Sequence, residues 1–410
     1  MARREVDYLL IGGGLASANC ARWLREEGAD GSILLVGREY DPPYNRPPLS
    51  KGYLQGRESR EDALFRPDEW WQEQDIEVLT RTSVMKLDAG ERVAALSTKD
   101  EVRFDKALLA TGANVRRLQV EGSDLDGIDY LRTLPNSDAI GAEGDRAERV
   151  VLIGGSYIGT EVAASLTAAH GVQCAIVMLE DVVLERFYGP EVGRFWQGVL
   201  EEHGVEVHGG QELDRFEGGD GRVRSVVTKS GLEIECDAVV IGAGVNPDVM
   251  LAKRAGLEIG ERGGVLTSPG LESSVPGVFA AGDICEYPSP LHGAAPMRLE
   301  HWDVAFNQGK TAALNMLGRG VEYDVVPYFF SDLADWASFE YVGPGSGDLV
   351  VRGSLEDGDF TAFYLDDGRV AAALTVGRSD DLEHAKRFLT ERSGPDHVAL
   401  ADDSTDLGDL

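Results

Sequence analysis

Two stretches of this chain join an apolar run to a small-residue turn of the kind that can hold a diphosphate. Tyr8-Leu9-Leu10-Ile11 leads into Gly12-Gly13-Gly14-Leu15-Ala16-Ser17, and Val150-Val151-Leu152-Ile153 leads into Gly154-Gly155-Ser156-Tyr157-Ile158-Gly159. Each predicts a buried strand, a tight turn and then a helix, whose first amides lack intrahelical partners and whose dipole end is positive. The patterns are Gly12-x-Gly14-x-x-Ser17 and Gly154-x-Ser156-x-x-Gly159. Neither has all three glycines. Ser17 stands where the helix must pack closely on its strand and Ser156 where backbone approaches phosphate, and a serine is small enough for both tasks. One such turn says little, since any strand-to-helix connection can resemble it. Two of them, each followed about 20 residues on by a second apolar strand (Ser32 to Val36; Cys174 to Met178), imply two bound nucleotides.

The elements that must position these turns repeat one plan. After the first βαβ unit comes a Pro-rich irregular loop, Asp41 to Tyr53, and an amphipathic segment, Glu61 to Gln74, in which Trp70 and Trp71 serve packing. Ile76-Glu77-Val78-Leu79 reads as a strand. Phe104 to Leu109 is a strand ending in Ala110-Thr111-Gly112, and Asp237 to Ile241 one ending in Gly242-Ala243-Gly244, so a strand closing on a glycine turn accompanies each nucleotide turn. Past Val325 the pattern changes to alternating strands, with Asp366-Asp367-Gly368 as a hairpin turn between Phe360 to Leu365 and Val370 to Val376. A helix is expected over Asp381 to Arg392, and a polar, acidic, frayed end from Ser393.

Composition sets limits. The 410 residues, 43% hydrophobic, suffice for two or three domains. No apolar run is long enough to cross a bilayer, and Met1-Ala2-Arg3-Arg4 leads at once into Glu5 rather than a signal-peptide core, so the expectation is cytoplasmic. A net charge of -32 opposes binding to nucleic acid or anionic lipid. Cys20, Cys174, Cys236 and Cys285 are too scattered for a zinc site, a disulfide scaffold or a Cys-x-x-Cys pair, and read as small buried hydrophobes. No metal site is expected.

With these residues in hand, the chain resembles the FAD-dependent pyridine-nucleotide reductases, in the branch of oxygenase-coupled ferredoxin and rubredoxin reductases that also includes apoptosis-inducing factor. Five segments carry the resemblance in order: Gly12 to Ser17; Pro43-Tyr44-Asn45-Arg46-Pro47-Pro48-Leu49-Ser50-Lys51; Ala110-Thr111-Gly112; Gly154 to Glu161; and Pro276-Gly277-Val278-Phe279-Ala280-Ala281-Gly282-Asp283. The Arg-Pro-Pro-Leu-Ser-Lys run is the most specific to the branch. The resemblance implies an α/β protein with two Rossmann-like nucleotide-binding domains, for FAD and NAD, plus a C-terminal αβ domain. The divisions are a discontinuous FAD domain over 1–115 and 244–325, an inserted NAD domain over 116–243, a C-terminal domain over 326–400 and an acidic tail over 401–410.

It also implies roles. Gly12, Gly14, Leu15, Ala16 and Ser17 hold the FAD pyrophosphate, with Arg46, Ala110, Thr111 and Gly112 nearby. Glu39 binds the adenosine ribose, because Arg38 occupies the position that is acidic in many relatives; Arg38 either lies across the adenine or is a solvated charge. Asp283, after Gly282, accepts hydrogen bonds from the ribityl chain, and backbone amides of Glu300-His301-Trp302 meet the pyrimidine edge of the flavin, His301 being a lining residue. Lys51 and Glu161 form an ion pair beside the isoalloxazine that stabilises reduced flavin, the alternative being an ordinary inter-domain salt bridge. Gly154, Ser156, Tyr157, Ile158 and Gly159, with Gly242, Ala243 and Gly244, take the nicotinamide coenzyme. Met178 replaces the ribose-binding acid of NADH-using relatives, but Glu180 and Asp181 follow and the nearest arginine is Arg186, so NADH is favoured over NADPH.

The expected reaction is hydride transfer from NADH to FAD and single-electron release to a ferredoxin or rubredoxin, by a monomer or homodimer. The alternatives are an NADH oxidase or quinone or small-molecule reductase, and a redox-sensing interaction protein like apoptosis-inducing factor. Disulfide reductases of this fold carry a cysteine pair in the stretch corresponding to Asp41 to Lys51, which has no cysteine here, so the resemblance implies that electrons leave directly from flavin. The chain departs from many relatives in having Phe329-Phe330-Ser331-Asp332 where they carry Trp beside Ser-Asp. An acidic partner would need a local basic patch, for which Arg46, Arg298 and Arg378 are the candidates.

Overall fold

The computed structural model describes residues 3–290, 293 and 295–410. They form two compact units: Met1–Asn45, Ala63–Asn114 and Asn246–Tyr328 make the first, and Arg46–Asp62, Val115–Val245 and Phe329–Leu410 the second.

In the first unit the central strand Arg3–Ile11 runs parallel to Ile33–Val36 on one side and Glu101–Leu109 on the other, and Ile76–Leu79 extends the parallel part. Glu101–Leu109 divides its far edge. Its start pairs antiparallel with Val93–Leu96 and its last residues pair parallel with Val278–Ala280. Strands covered on both faces read as continuous apolar runs, and Leu9, Leu10, Leu34, Leu35 and Leu108 have no exposed surface. Leu10, Leu35 and Leu108 face the helices Leu15–Glu26 and Trp302–Met316, while Leu9 and Leu34 face a second core with Val249, Ala252 and Leu257. Those two helices touch backbone to backbone at Gly309, where an added Cβ would lie 2.4 Å from the carbonyl oxygen of Ala16. The Asn19 amide donates to the Phe306 carbonyl at 2.6 Å across the same contact.

The second unit holds a five-stranded parallel sheet in the order Glu206–His208, Gln173–Val177, Arg149–Ile153, Ala238–Ile241, Ile128–Tyr130, and a small antiparallel sheet over 213–235. Its C-terminal antiparallel sheet runs in the order Tyr328–Leu333, Ala337–Val342, Arg369–Val376, Asp359–Asp366, Asp348–Ser354, with the helix Asp381–Glu391. The expected hairpin forms: Asp367 and Gly368 both take positive φ, as a two-residue turn matching strand twist requires.

Several expectations change. The amphipathic segment from Glu61 to Gln74 forms two short helices, Arg60–Ala63 and Asp68–Glu73, with Pro67 between them where it cannot donate to a backbone ladder. The Pro-rich segment tightens into a 3₁₀ turn at Pro47–Ser50, and Arg46–Asp62 packs with the second unit rather than with its sequence neighbours. The end of the chain is not frayed. Leu400 and Leu407 are buried, and the buried Arg352 guanidinium donates to the carbonyls of Asp402 and Thr405 at 2.6 and 2.9 Å. All four cysteines are buried and unpaired, and burial raises the thiols of Cys174, Cys236 and Cys285 to about 12 and pushes Cys20 up as well.

Gly309→Val should force the two helices of the first unit apart. Overpacking of this kind costs about 1–3 kcal/mol, a fall of several degrees in melting temperature that calorimetry would read. An unchanged transition would show that the helix contact is adjustable.

Candidate functional site

In the first unit the turn after Arg3–Ile11 is closed by a second backbone. Gly12 has φ +124°, and a Cβ there would sit 2.1 Å from the carbonyl oxygen of Ala110. Two segments far apart in sequence, Gly12–Ser17 and Ala110–Gly112, therefore meet as expected. Thr111 is held by its hydroxyl donating to the Asp248 carbonyl at 2.7 Å. Gly14 opens onto free space, with nothing within 4 Å of an added Cβ. The helix Leu15–Glu26 begins there with no side-chain cap and no acidic residue in its first turn, so its leading amides face that space unopposed. Leu15, Ala16 and Ser17 are buried, and the Ser17 hydroxyl has no protein partner. An uncapped helix end beside an open cradle fits a diphosphate.

Around that cradle, Glu39 accepts from the Tyr44 hydroxyl, while exposed Arg38 donates to Asp248 at 3.0 Å and to Asn114 at 2.5 Å. Arg38 is thus a tethered cation. Gly282, at φ +74°, donates its amide to Gln308 Oε1 at 2.8 Å, fixing the 3₁₀ turn that carries Asp283. His301 caps the helix Trp302–Met316 by position only, with no side-chain bond to its amides. Trp302 donates to Asn45 Oδ1 at 3.0 Å and stacks on Phe306. Protein atoms hem in the His301 ring even though part of the residue reaches the surface, and this desolvation pulls its pKa down to about 4, Asp283 opposing. His301 is neutral at pH 7.

The second unit repeats the construction. Gly154 has φ +108°, and a Cβ there would lie 2.6 Å from the Gly242 carbonyl oxygen, joining the turn to Gly242-Ala243-Gly244. Ser156 turns its hydroxyl away to donate to Gly242 at 3.1 Å, leaving the helix Tyr157–Ser165 uncapped. Gly159 has no freedom to be larger, since its Cβ would fall 2.0 Å from the Gly154 oxygen. Tyr157 donates to Tyr188 at 2.8 Å and packs against Phe187 and Phe329, and Ile158 is half-buried beside it. Met178 lies over Gly155, and Glu180 and exposed Asp181 follow it, the Glu180 carbonyl accepting from Gly210.

Glu161 is among the charged groups buried in this unit, and it has several partners. Glu161 has only 4% of its side chain exposed; its Oε1 takes Lys51 Nζ at 2.6 Å and the Ser331 hydroxyl at 2.6 Å, and its Oε2 takes the Ser50 hydroxyl at 2.5 Å. The expected pair of Lys51 and Glu161 forms. Its two serines were not singled out from sequence, although both stand beside residues that were. Asp332 is pushed up by burial, with Lys51 pulling the other way. Arg46 sits in the same unit and donates to the Arg132 carbonyl.

Two of the three arginines considered for a basic patch have partners of their own: Arg298 pairs with Glu300 at 2.6 Å and donates to the Asp283 carbonyl, and Arg378 pairs with Asp381 and Asp403.

Residues 6–309 match the pyridine nucleotide-disulphide oxidoreductase family and residues 328–410 the reductase C-terminal family. The chain is 33% identical over 395 residues to a probable ferredoxin reductase, CtmF, of Castellaniella defragrans, with 96% of each covered. It superimposes with a TM-score of 0.93 and 31% identity on the ferredoxin reductase for the CYP199A2 system of Rhodopseudomonas palustris, covering 98% of this chain and 99% of that one. Against the covalent putidaredoxin reductase–putidaredoxin complex the TM-score is 0.92 at 31% identity, with 100% and 98% covered.

Breaking a buried pair leaves a charge stranded, whereas removing both partners does not. Lys51→Met should cost up to about 3–5 kcal/mol in chemical denaturation, and Lys51→Met with Glu161→Gln should recover much of it. Equal losses would show that the pair has no energetic coupling. The His301 shift gives a sign as well. The unfolded chain takes up its proton near 6.5 and the native one only near 4, so stability is full above 6.5 and declines as pH falls between those values. His301→Gln should flatten that decline in melting temperature; an identical slope would refute the assignment.

Proposed function

The chain belongs to the pyridine nucleotide-disulphide oxidoreductase family, and we propose that within it the protein transfers hydride from NADH to FAD and passes electrons singly to a small iron–sulfur protein of the ferredoxin class. The observation that carries this reading is the duplicated site. Each unit has an uncapped helix end beside a glycine turn braced by a second backbone, Gly12 on Ala110 and Gly154 on Gly242. Two such sites suit one dinucleotide each.

The functional divisions follow those turns: FAD over 1–115 and 244–325, the nicotinamide coenzyme over 116–243, and a C-terminal domain from 326. In the first, Gly14, Leu15, Ala16 and Ser17 hold the diphosphate, Glu39 the ribose, Asp283 the ribityl hydroxyls and the amides near Trp302 the pyrimidine edge. FAD, when bound, accepts a hydride and gives up its electrons one at a time. Lys51, kept paired by Glu161, supplies a fixed positive charge that favours the reduced form. Gly154, Ser156, Ile158 and Gly159 hold NADH, with Gly242, Ala243 and Gly244 behind them and Tyr157 against the nicotinamide end. Glu180 and Asp181 place negative charge where a 2′-phosphate would lie. No cysteine can act as a dithiol relay, because all four are buried and unpaired. Reduced thiols and a supply of NADH suit a cytoplasmic setting.

A ferredoxin acceptor is supported by the relatives described as ferredoxin reductases and by the structure solved with putidaredoxin attached. With a net charge of -32, the chain repels an acidic partner at long range, and salt screens that repulsion beyond about 8 Å. Cytochrome c reduction should therefore depend on added ferredoxin, rise with moderate salt and fall again at high salt, with NADH ahead of NADPH in kcat/KM. Ready turnover with a quinone or oxygen, and none with any ferredoxin or rubredoxin, would replace this reading by a small-molecule reductase. A reduced flavin that persists in air with every acceptor would instead favour a redox-sensing role.

A further inference from the structure

An edge strand of the C-terminal sheet, Tyr328–Leu333, meets the helix of the second nucleotide turn at Phe329 and Ser331, and Lys51 at the residue between them. The Phe329 ring lies 4.5 Å from Tyr157, the Phe330 ring 5.5 Å from Lys51 Nζ, and the Ser331 hydroxyl 2.6 Å from Glu161 Oε1. The spacing explains the fit. Residues two apart share one face of a strand, a step of about 6.6 Å, and residues four apart share one face of a helix, a rise of about 6 Å. Phe329 and Ser331 thus match Tyr157 and Glu161. Ser331 belongs to an edge strand yet has no exposed surface, because its open side is closed by this contact.

From a different chain segment Ser50 and Lys51 reach the same carboxylate. The terminal torsion of a glutamate is broad and only weakly fixed unaided. Donors on both oxygens remove that freedom, and Ser331 is the only one of the three that comes from the C-terminal sheet. We propose that Ser331 is a positioning residue: its hydroxyl sets the plane of the Glu161 carboxylate and so holds the Lys51 ammonium in one place. This rests on the reading above in which Lys51 favours reduced flavin.

The test uses the full-length protein with its flavin bound, as Ser331→Ala and Ser331→Thr, and reads two quantities. The first is acetylation of Lys51 by acetic anhydride, measured by mass spectrometry against the exposed Lys229. The second is anaerobic flavin bleaching by NADH. Ser331→Ala should raise the Lys51 labelling ratio severalfold and slow bleaching by about tenfold, the scale of one hydrogen bond to a charged group, while Ser331→Thr keeps both near the parent values. If Ser331→Ala fails to retain flavin, Ser331→Cys, close in volume and a weak donor, makes the same comparison. A parental labelling ratio in the variant lacking the hydroxyl overturns the proposal. Raised labelling with unchanged bleaching upholds the positioning and overturns instead the role given to Lys51.

Discussion

Two contacts of backbone on backbone govern the rest of this molecule. Gly12 rests on Ala110 and Gly154 on Gly242, each at a separation that leaves no room for a Cβ. The contacts bring together segments almost a hundred residues apart and aim a helix end, with its amides uncapped, at open space. A larger residue at either turn would push the helix off its strand and swing those amides away. The two serines show how narrow the requirement is. Ser156 is tolerated because its hydroxyl folds back onto Gly242, and Ser17 because it is a helix residue whose side chain the surrounding core accepts. Gly159, at the position corresponding to Ser17, admits no such replacement.

The second constraint is a buried charge. Glu161 is nearly excluded from solvent, and such a carboxylate is tolerated only with donors that replace water. Lys51, Ser50 and Ser331 supply them from two chain segments remote from Glu161 and from each other. That shared demand is one reason Arg46–Asp62 and the C-terminal sheet fall in the same compact unit as the second nucleotide turn. The carboxylate is thus a point where three segments must agree.

Charge elsewhere is managed differently. Several arginines are absorbed within the fold: Arg378 by Asp381 and Asp403, Arg352 by the carbonyls of the chain's last turns. The last residues, acidic and polar in composition, are anchored by this internal use of arginine and by two buried leucines. Local composition predicted fraying; a buried guanidinium and two buried leucines reversed it.

Much was legible in the sequence because it depends on local pattern. Strand-turn-helix order follows from apolar runs ending in glycine. The hairpin at Asp367-Gly368 follows from residues that tolerate positive φ, and the four isolated cysteines could be read as buried apolar groups. The family followed from five motifs in order, and with it the pairing of Lys51 and Glu161. Other features depend on long-range packing that no short window records. Gly309 looks like an ordinary glycine in a helix until Ala16 is found against it. Nothing in the spacing of Ser50, Glu161 and Ser331 announces that they meet. The sequence by itself determined which residue types could bind nucleotides and carry charge, because those are properties of side chains and local turns. Only the tertiary structure decided which oxygen each hydroxyl serves and which charges are already paired, because a hydrogen bond exists only where distant segments arrive within about 3 Å of one another.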